Sequence, residues 1–295
     1  MALTFLVGAL PFLFIASAHA QEMSQTQEVS TQETQIQEAE KKTSQTNPWL
    51  DNYNTPVGLT YGFTATLQTT YIWRGLYSGG LNIQPSANVG YGGLYVDMWW
   101  NIGTPDWNFN SFQPELDLSL GFNRWGLDVH LLYIHNFNCG FFDFNNYPDK
   151  GNRLEIDARY TISSKLPLSF LWATRIGASD GYVNAAGDTI MAYSSYAEIS
   201  YTQALPYGLS LYGAFGITPW RSCYTQYELG FAVQNIEVRL RKDWSIHKRL
   251  GLMLQGVFTC SPSMMAADKT TTEWHPKSPG RQAINANLAL GIYLK

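Results

Sequence analysis

Apolar and polar residues alternate one by one through run after run of this sequence. Leu59, Tyr61, Phe63, Ala65, Leu67, Tyr71 and Trp73 alternate with Thr60, Gly62, Thr64, Thr66, Gln68, Thr70 and Arg74, Ile72 being the exception. A strand sends successive side chains to opposite faces, so this period specifies ribbons with one apolar face. The pattern recurs: Leu94, Val96, Met98 and Trp100 against Tyr95, Asp97, Trp99 and Asn101; Leu116, Leu118 and Leu120 against Glu115, Asp117 and Ser119. It returns at Leu154, Ile156, Ala158 and Tyr160, and again at Ile284, Ala286, Leu288, Leu290 and Ile292. About twelve such runs lie near 59–74, 81–91, 93–102, 112–122, 125–137, 152–163, 167–178, 191–203, 207–217, 226–245, 249–260 and 281–294. Many are close to the roughly 9–11 residues that a tilted strand needs to cross a bilayer. An even count suits a single-chain barrel with both ends on one side. The expected fold is all-β: a transmembrane antiparallel up-and-down β-barrel of about twelve strands.

The run 226–245 changes parity, from Tyr227, Leu229, Phe231 and Val233 to Ile236, Val238 and Leu240. One long strand with a bulge near Gln234-Asn235 explains the switch, because an extra residue flips the phase. Two strands joined by a turn there would explain it too, but would make the total odd. The bulge is the preferred reading.

The connections alternate in length. Tyr91-Gly92-Gly93, Asn123-Arg124, 163–166, 204–206 and 246–248 are short, whereas 75–80, 103–111, 138–151, 179–190, 218–225 and 261–280 tend to be longer. That matches short periplasmic turns and longer external loops. No charged residue falls on the apolar face of any run. Tyr71, Trp73, Trp100, Trp125, Tyr207 and Phe258 sit near strand ends, where interface girdles of aromatics are expected.

Composition agrees. Aromatics make up 15% and charged residues 14% of the chain, against about 25% charged in an ordinary globular domain. Positions 2–17 are uncharged and precede Ala18-His19-Ala20, a small-x-small pattern. Residues 1–20 are therefore expected to be a signal peptide, although no Lys or Arg precedes the apolar stretch. Residues 21–56, rich in Gln, Glu and Thr, are expected to be a disordered periplasmic lead, and 57–295 the barrel. Beyond the leader no apolar run is long enough for a transmembrane helix, which excludes a helical membrane protein. The net charge of -4 implies no nucleic-acid partner. Cys139, Cys223 and Cys260 are odd in number and show no zinc-binding spacing. A Cys223–Cys260 bridge is not expected, because the register places Cys260 opposite residue 234.

The segment Tyr71-Ile72-Trp73-Arg74-Gly75-Leu76 resembles the first strand of small bacterial outer-membrane barrel proteins of unknown function, which ends in Y-x-W-R-G. Tyr193-Ser194-Ser195-Tyr196-Ala197-Glu198 and the final hairpins are similar to that group as well, over about residues 58–295. The resemblance implies the barrel and little about activity. The group often ends in an aromatic residue, whereas this chain ends Ile292-Tyr293-Leu294-Lys295.

The inward phase collects the charges. Candidate lumen-lining residues are Arg74, Asp97, Glu115, Asp117, Asp128, His130, Arg153, Glu155, Asp157, Arg159, Arg175, Glu198 and Glu228, with Glu237, Arg239 and Arg241 beyond the expected bulge. A mildly cation-favouring channel and an interior filled by mutual ion pairs both fit this set. Pairs such as Glu115/Asp117 and Glu155/Asp157 are expected to serve salt bridges rather than catalysis. His135 resembles the histidine of lipid-hydrolysing outer-membrane barrels, but Phe137 stands where a serine is needed.

The leading expectation is a monomeric, narrow passive channel for small hydrophilic solutes in the outer membrane of a Gram-negative-type bacterium. The alternative is a non-conducting structural or surface-binding barrel using its external loops. A lipid-acting enzyme is the remote one. Outer-membrane lipid and the membrane's assembly machinery are the implied partners. No cofactor, metal or catalytic residue is expected.

Overall fold

The computed structural model describes residues 58–104, 114–144, 151–267 and 283–294. The expected leader 1–20 and lead 21–56 lie outside the described residues, as do parts of three long connections.

The strands in chain order are β1 Leu59–Gln68, β2 Tyr71–Trp73, β3 Leu76–Gly79, β4 Asn82–Tyr91, β5 Leu94–Gly103, β6 Glu115–Arg124, β7 Leu127–His135 and β8 Arg153–Thr161. They continue with β9 Leu168–Ala178, β10 Gly181–Val183, β11 Thr189–Met191, β12 Ser195–Leu205, β13 Leu209–Thr218, β14 Ala232–His247, β15 Leu250–Cys260 and β16 Ile284–Leu294. One short helix, α1, covers Pro262–Ala267. Twelve strands form a closed barrel in the order β1-β16-β15-β14-β13-β12-β9-β8-β7-β6-β5-β4. All neighbours are antiparallel, and β1 closes the ring by pairing with both β4 and β16. The two remaining pairs, β2–β3 and β10–β11, are separate two-stranded hairpins.

Local chemistry sets the turns. Tyr91 pairs with Leu94 and Arg124 with Leu127, leaving the two-residue loops Gly92-Gly93 and Trp125-Gly126. All four of these residues have positive φ, the twist that joins right-handed strands tightly. The short turns gather at one end of the barrel and the long connections at the other.

Burial is inverted relative to a soluble protein. Along all of β16, exposed and buried residues alternate strictly. Leu288, Leu290 and Ile292 are exposed while Asn285, Asn287 and Ala289 are buried. Val96, Met98 and Trp100 on β5, Phe170 and Trp172 on β9, and Val238 and Leu240 on β14 extend the same belt. An encircling apolar surface of this extent belongs against lipid hydrocarbon. Closure matters for the same reason, since an open sheet edge would leave backbone polar groups unpaired in the bilayer.

The expected bulge is present. Gly216 pairs with Asn235 and Ile217 with Val233, so Gln234 is the extra residue on β14. Its side chain is fully buried and accepts a hydrogen bond from Ser263 of α1 at 2.7 Å. Two expected runs are corrected. The run 59–74 breaks after Gln68, and Tyr71–Gly79 folds as the separate hairpin. The run 226–245 begins as a strand only at Ala232, because Gln226 and Tyr227 take positive φ and interrupt the extended chain. All three cysteines are free.

Candidate functional site: the plugged lumen

The β2–β3 hairpin lies inside the barrel, near the long-loop end. Its tip, Arg74-Gly75, reaches opposite walls. Gly75 has φ +80, and a Cβ there would lie 2.7 Å from the Gln234 carbonyl oxygen. Only glycine meets both demands without strain. On the far wall, Arg74 Nη2 lies 2.8 Å from Glu155 and 2.8 Å from Asp157, both on β8. Arg74 also donates to the Tyr224 hydroxyl. The guanidinium stands over the rings of Trp73, Tyr196 and Tyr224, at 4.6, 5.1 and 5.9 Å from their centroids. Burial opposes the Arg74 charge, and the Glu155 and Asp157 carboxylates offset that cost.

A second element completes the plug. The connection between β13 and β14 turns inward through Cys223–Thr225 and buries Tyr224 completely. Ala173, Tyr196 and Tyr224 form a small apolar cluster against which Trp73, Leu76 and Leu171 pack. Asp180 fastens this connection by accepting from the Ser194 amide at 2.7 Å and from the Tyr227 hydroxyl at 3.2 Å. Ser194 Oγ in turn accepts from the Cys223 amide at 2.8 Å. Arg175 lies 4.0 Å from Glu155 and 3.9 Å from Asp180, joining the two arrangements.

Gly216 makes room for this cluster. A Cβ there would sit 2.1 Å from the Tyr196 hydroxyl oxygen, so the tyrosine lies flat across the glycine on the neighbouring strand. That hydroxyl donates to Glu198 at 2.7 Å, and Tyr212 donates to the other oxygen of Glu198 at 2.8 Å.

Towards the short turns the lumen opens. Side chains of Arg159 and Arg239 are 28% and 30% exposed, against 0% for Glu155, so this half is filled less tightly and forms a vestibule. One wall carries Tyr95, Asp97, Asp128 and His130; Tyr95 donates to Asp128 at 2.7 Å, and His130 lies 3.6 Å from Asp157. Further round the ring three arginines have acid partners: Arg159, the cross-strand neighbour of Asp128, lies 3.8 Å from Glu198, Arg241 lies 2.8 Å from Asp243, and Arg239 pairs with Glu237.

Of the sequence-predicted lumen residues, Asp97, Glu115, Asp117, Asp128, His130, Arg153, Glu155, Asp157, Arg159, Arg175 and Glu198 occupy inward strand positions. Arg74 is inside too, but on the hairpin tip rather than the wall. Glu228 is the correction: it lies in the β13–β14 connection and is exposed, because the strand expected to carry it starts at Ala232. Tyr71 and Trp73 belong to the plug, not to a lipid girdle, and Tyr71 donates to Glu115 at 2.7 Å. Sequence reasoning missed Tyr224, Tyr196 and Asp243. Asp243 and Tyr196 carried a usable signal, the first its inward parity with Arg239 and Arg241 beyond the bulge, the second its parity with Glu198.

His135 has an orienting partner. Its Nδ1 lies 2.6 Å from Oδ1 of the buried Asn152. The Cys139 thiol reaches that same oxygen at 3.5 Å. The Phe137 ring packs 4.3 Å from the imidazole. Thiol and imidazole converge on the amide and not on each other, so the described contacts hold no nucleophile–base pair.

No family model matches the chain, and no curated protein sequence matches it. Among solved structures, a NanC porin aligns over 80% of this chain and 100% of its own, at 9% identity and TM-score 0.44. An outer membrane channel from Pseudomonas putida F1 aligns over 83% and 97%, at 12% identity and TM-score 0.44. A Pseudomonas aeruginosa FadL homologue aligns over 83% and 93%, at 9% identity and TM-score 0.37. At these scores the likeness bears on neither activity nor substrate. The closed ring of twelve antiparallel strands, apolar outside and polar within, is the architecture with which chains span a bacterial outer membrane. The protein is an outer-membrane β-barrel.

Proposed function

We propose that the protein is a narrow passive channel for small hydrophilic solutes, with its external mouth held shut by the β2–β3 hairpin. The observation that carries this reading is the contrast along the lumen: a plug fastened by ion pairs above a charged, less tightly filled vestibule. The narrowest barrels are filled by side chains from the wall itself. Here the filling comes from a connection folded inward, which pairs with no barrel strand and is held to the wall by side-chain contacts. The short turns then face the periplasm and the long connections the outside of a Gram-negative-type cell. Outer-membrane lipid and the assembly machinery are the partners this role requires, and one chain suffices for it.

Liposome swelling tests the proposal. A variant with residues 71–79 replaced by a short Gly-Ser-Gly link is expected to admit small sugars and amino acids faster than the wild type. Equal impermeability of both would favour the alternative, a non-conducting barrel whose long loops bind a partner. The reading assigns no catalysis. A lipase activity that vanishes in His135→Ala would contradict it.

A further inference from the structure

The pocket that receives Arg74 has the composition of a ligand site. Glu155 and Asp157 present carboxylates to one guanidinium nitrogen, each at 2.8 Å. Asp157 Oδ1 is buried and accepts no hydrogen bond. Tyr196 and Tyr224 offer ring faces at 5.1 and 5.9 Å from the guanidinium carbon, and neither belongs to the hairpin. Arg175, 4.0 Å from Glu155, is shared with Asp180 at 3.9 Å, and His130 lies 3.6 Å from Asp157, so three carboxylates face at most two remaining cations. With Arg74 withdrawn, the pocket therefore keeps a surplus negative charge in a nearly dry setting. A buried charge without a partner is costly. Flat or compact organic cations suit carboxylates combined with aromatic faces.

We propose that Glu155, Asp157, Tyr196 and Tyr224 form a binding site for a solute bearing a guanidinium or primary amine, which Arg74 occupies as a tethered competitor. This rests on the channel reading. A solute cation that wins the site releases the hairpin tip, and the lumen opens because the ligand binds the released state better. The solute that opens the channel is then of the class the channel admits.

The test uses Arg74→Ala protein folded in detergent micelles, with millimolar guanidinium chloride as probe and urea as its neutral isostere. Isothermal titration is expected to show guanidinium binding to Arg74→Ala about tenfold or more tighter than to wild type or to the triple variant R74A/E155Q/D157N. Urea is expected to show no such difference. In planar bilayers, guanidinium is expected to block the Arg74→Ala current, and the triple variant to escape the block. Equal binding by the triple variant, or equal binding of urea, overturns the site. Conduction by Arg74→Ala without guanidinium binding overturns the site and leaves the channel standing. Carboxylate-dependent binding without any current in Arg74→Ala supports the site and overturns the channel. If Arg74→Ala fails to fold, Arg74→Gln, which keeps the stem and the polar end, enters the same comparison.

Discussion

Glu155 divides its charge between Arg74 at 2.8 Å and Arg175 at 4.0 Å, with no exposure to solvent. Truncating such a partner strands the remaining charges in a medium that solvates them poorly. Glu155→Ala is therefore expected to lower unfolding stability by about 3 kcal/mol, read as the urea midpoint of protein refolded in vesicles. A loss below about 1 kcal/mol would mean that Arg74 does not depend on this contact. At this scale the sequence was informative about charge and less so about setting. Inward parity placed Arg74, Glu155 and Asp157 in one lumen. Parity could not show that Arg74 arrives on a hairpin, because a strand end and a hairpin share the same alternation until the chain turns. Two signs of the turn were present, the mismatch at Ile72 and the Arg74-Gly75 pair, and both residues of that pair have positive φ. Tyr224 carried no sign at all. Its burial depends on a connection of no regular period.

The strands were legible because lipid outside and polar groups inside impose opposite demands on adjacent residues. Even the bulge at Gln234 announced itself as a change of parity. Substitutions on one strand test the facing directly. Leu254 and Gln255 are neighbours in the middle of β15, the first exposed and the second turned inward. Leu254→Lys is expected to cost about 2–4 kcal/mol of folding stability in a bilayer. Gln255→Lys, placed in the lumen, is expected to cost about 1 kcal/mol or less. Equal penalties would mean that the apolar belt is not the lipid face. Connections were less legible than strands. Their lengths revealed which end of the barrel they occupy, but folding inward depends on single contacts such as Asp180 with Ser194 and Tyr227. Such contacts join residues far apart in sequence and leave no periodic trace.

For the whole molecule, charge and closure decide what crosses. The vestibule wall formed by β5 and β7 holds Asp97 and Asp128, while Arg159, Arg239 and Arg241 each have an acid partner of their own. The field inside an open lumen is thus negative, and permeation is expected to favour cations. Under a potassium chloride gradient the hairpin-shortened variant should show a cation-selective reversal potential that shrinks in Asp97→Asn with Asp128→Asn. An unchanged potential would place selectivity elsewhere. The central claim is that the β2–β3 hairpin, latched by Arg74, closes an otherwise conducting barrel. Single-channel recording tests it most directly, with the wild type beside the variant that replaces residues 71–79 by a Gly-Ser-Gly link. The account predicts a wild type that is closed or flickers briefly, and a variant with stable, discrete conductance steps. Indistinguishable traces from the two proteins would contradict it.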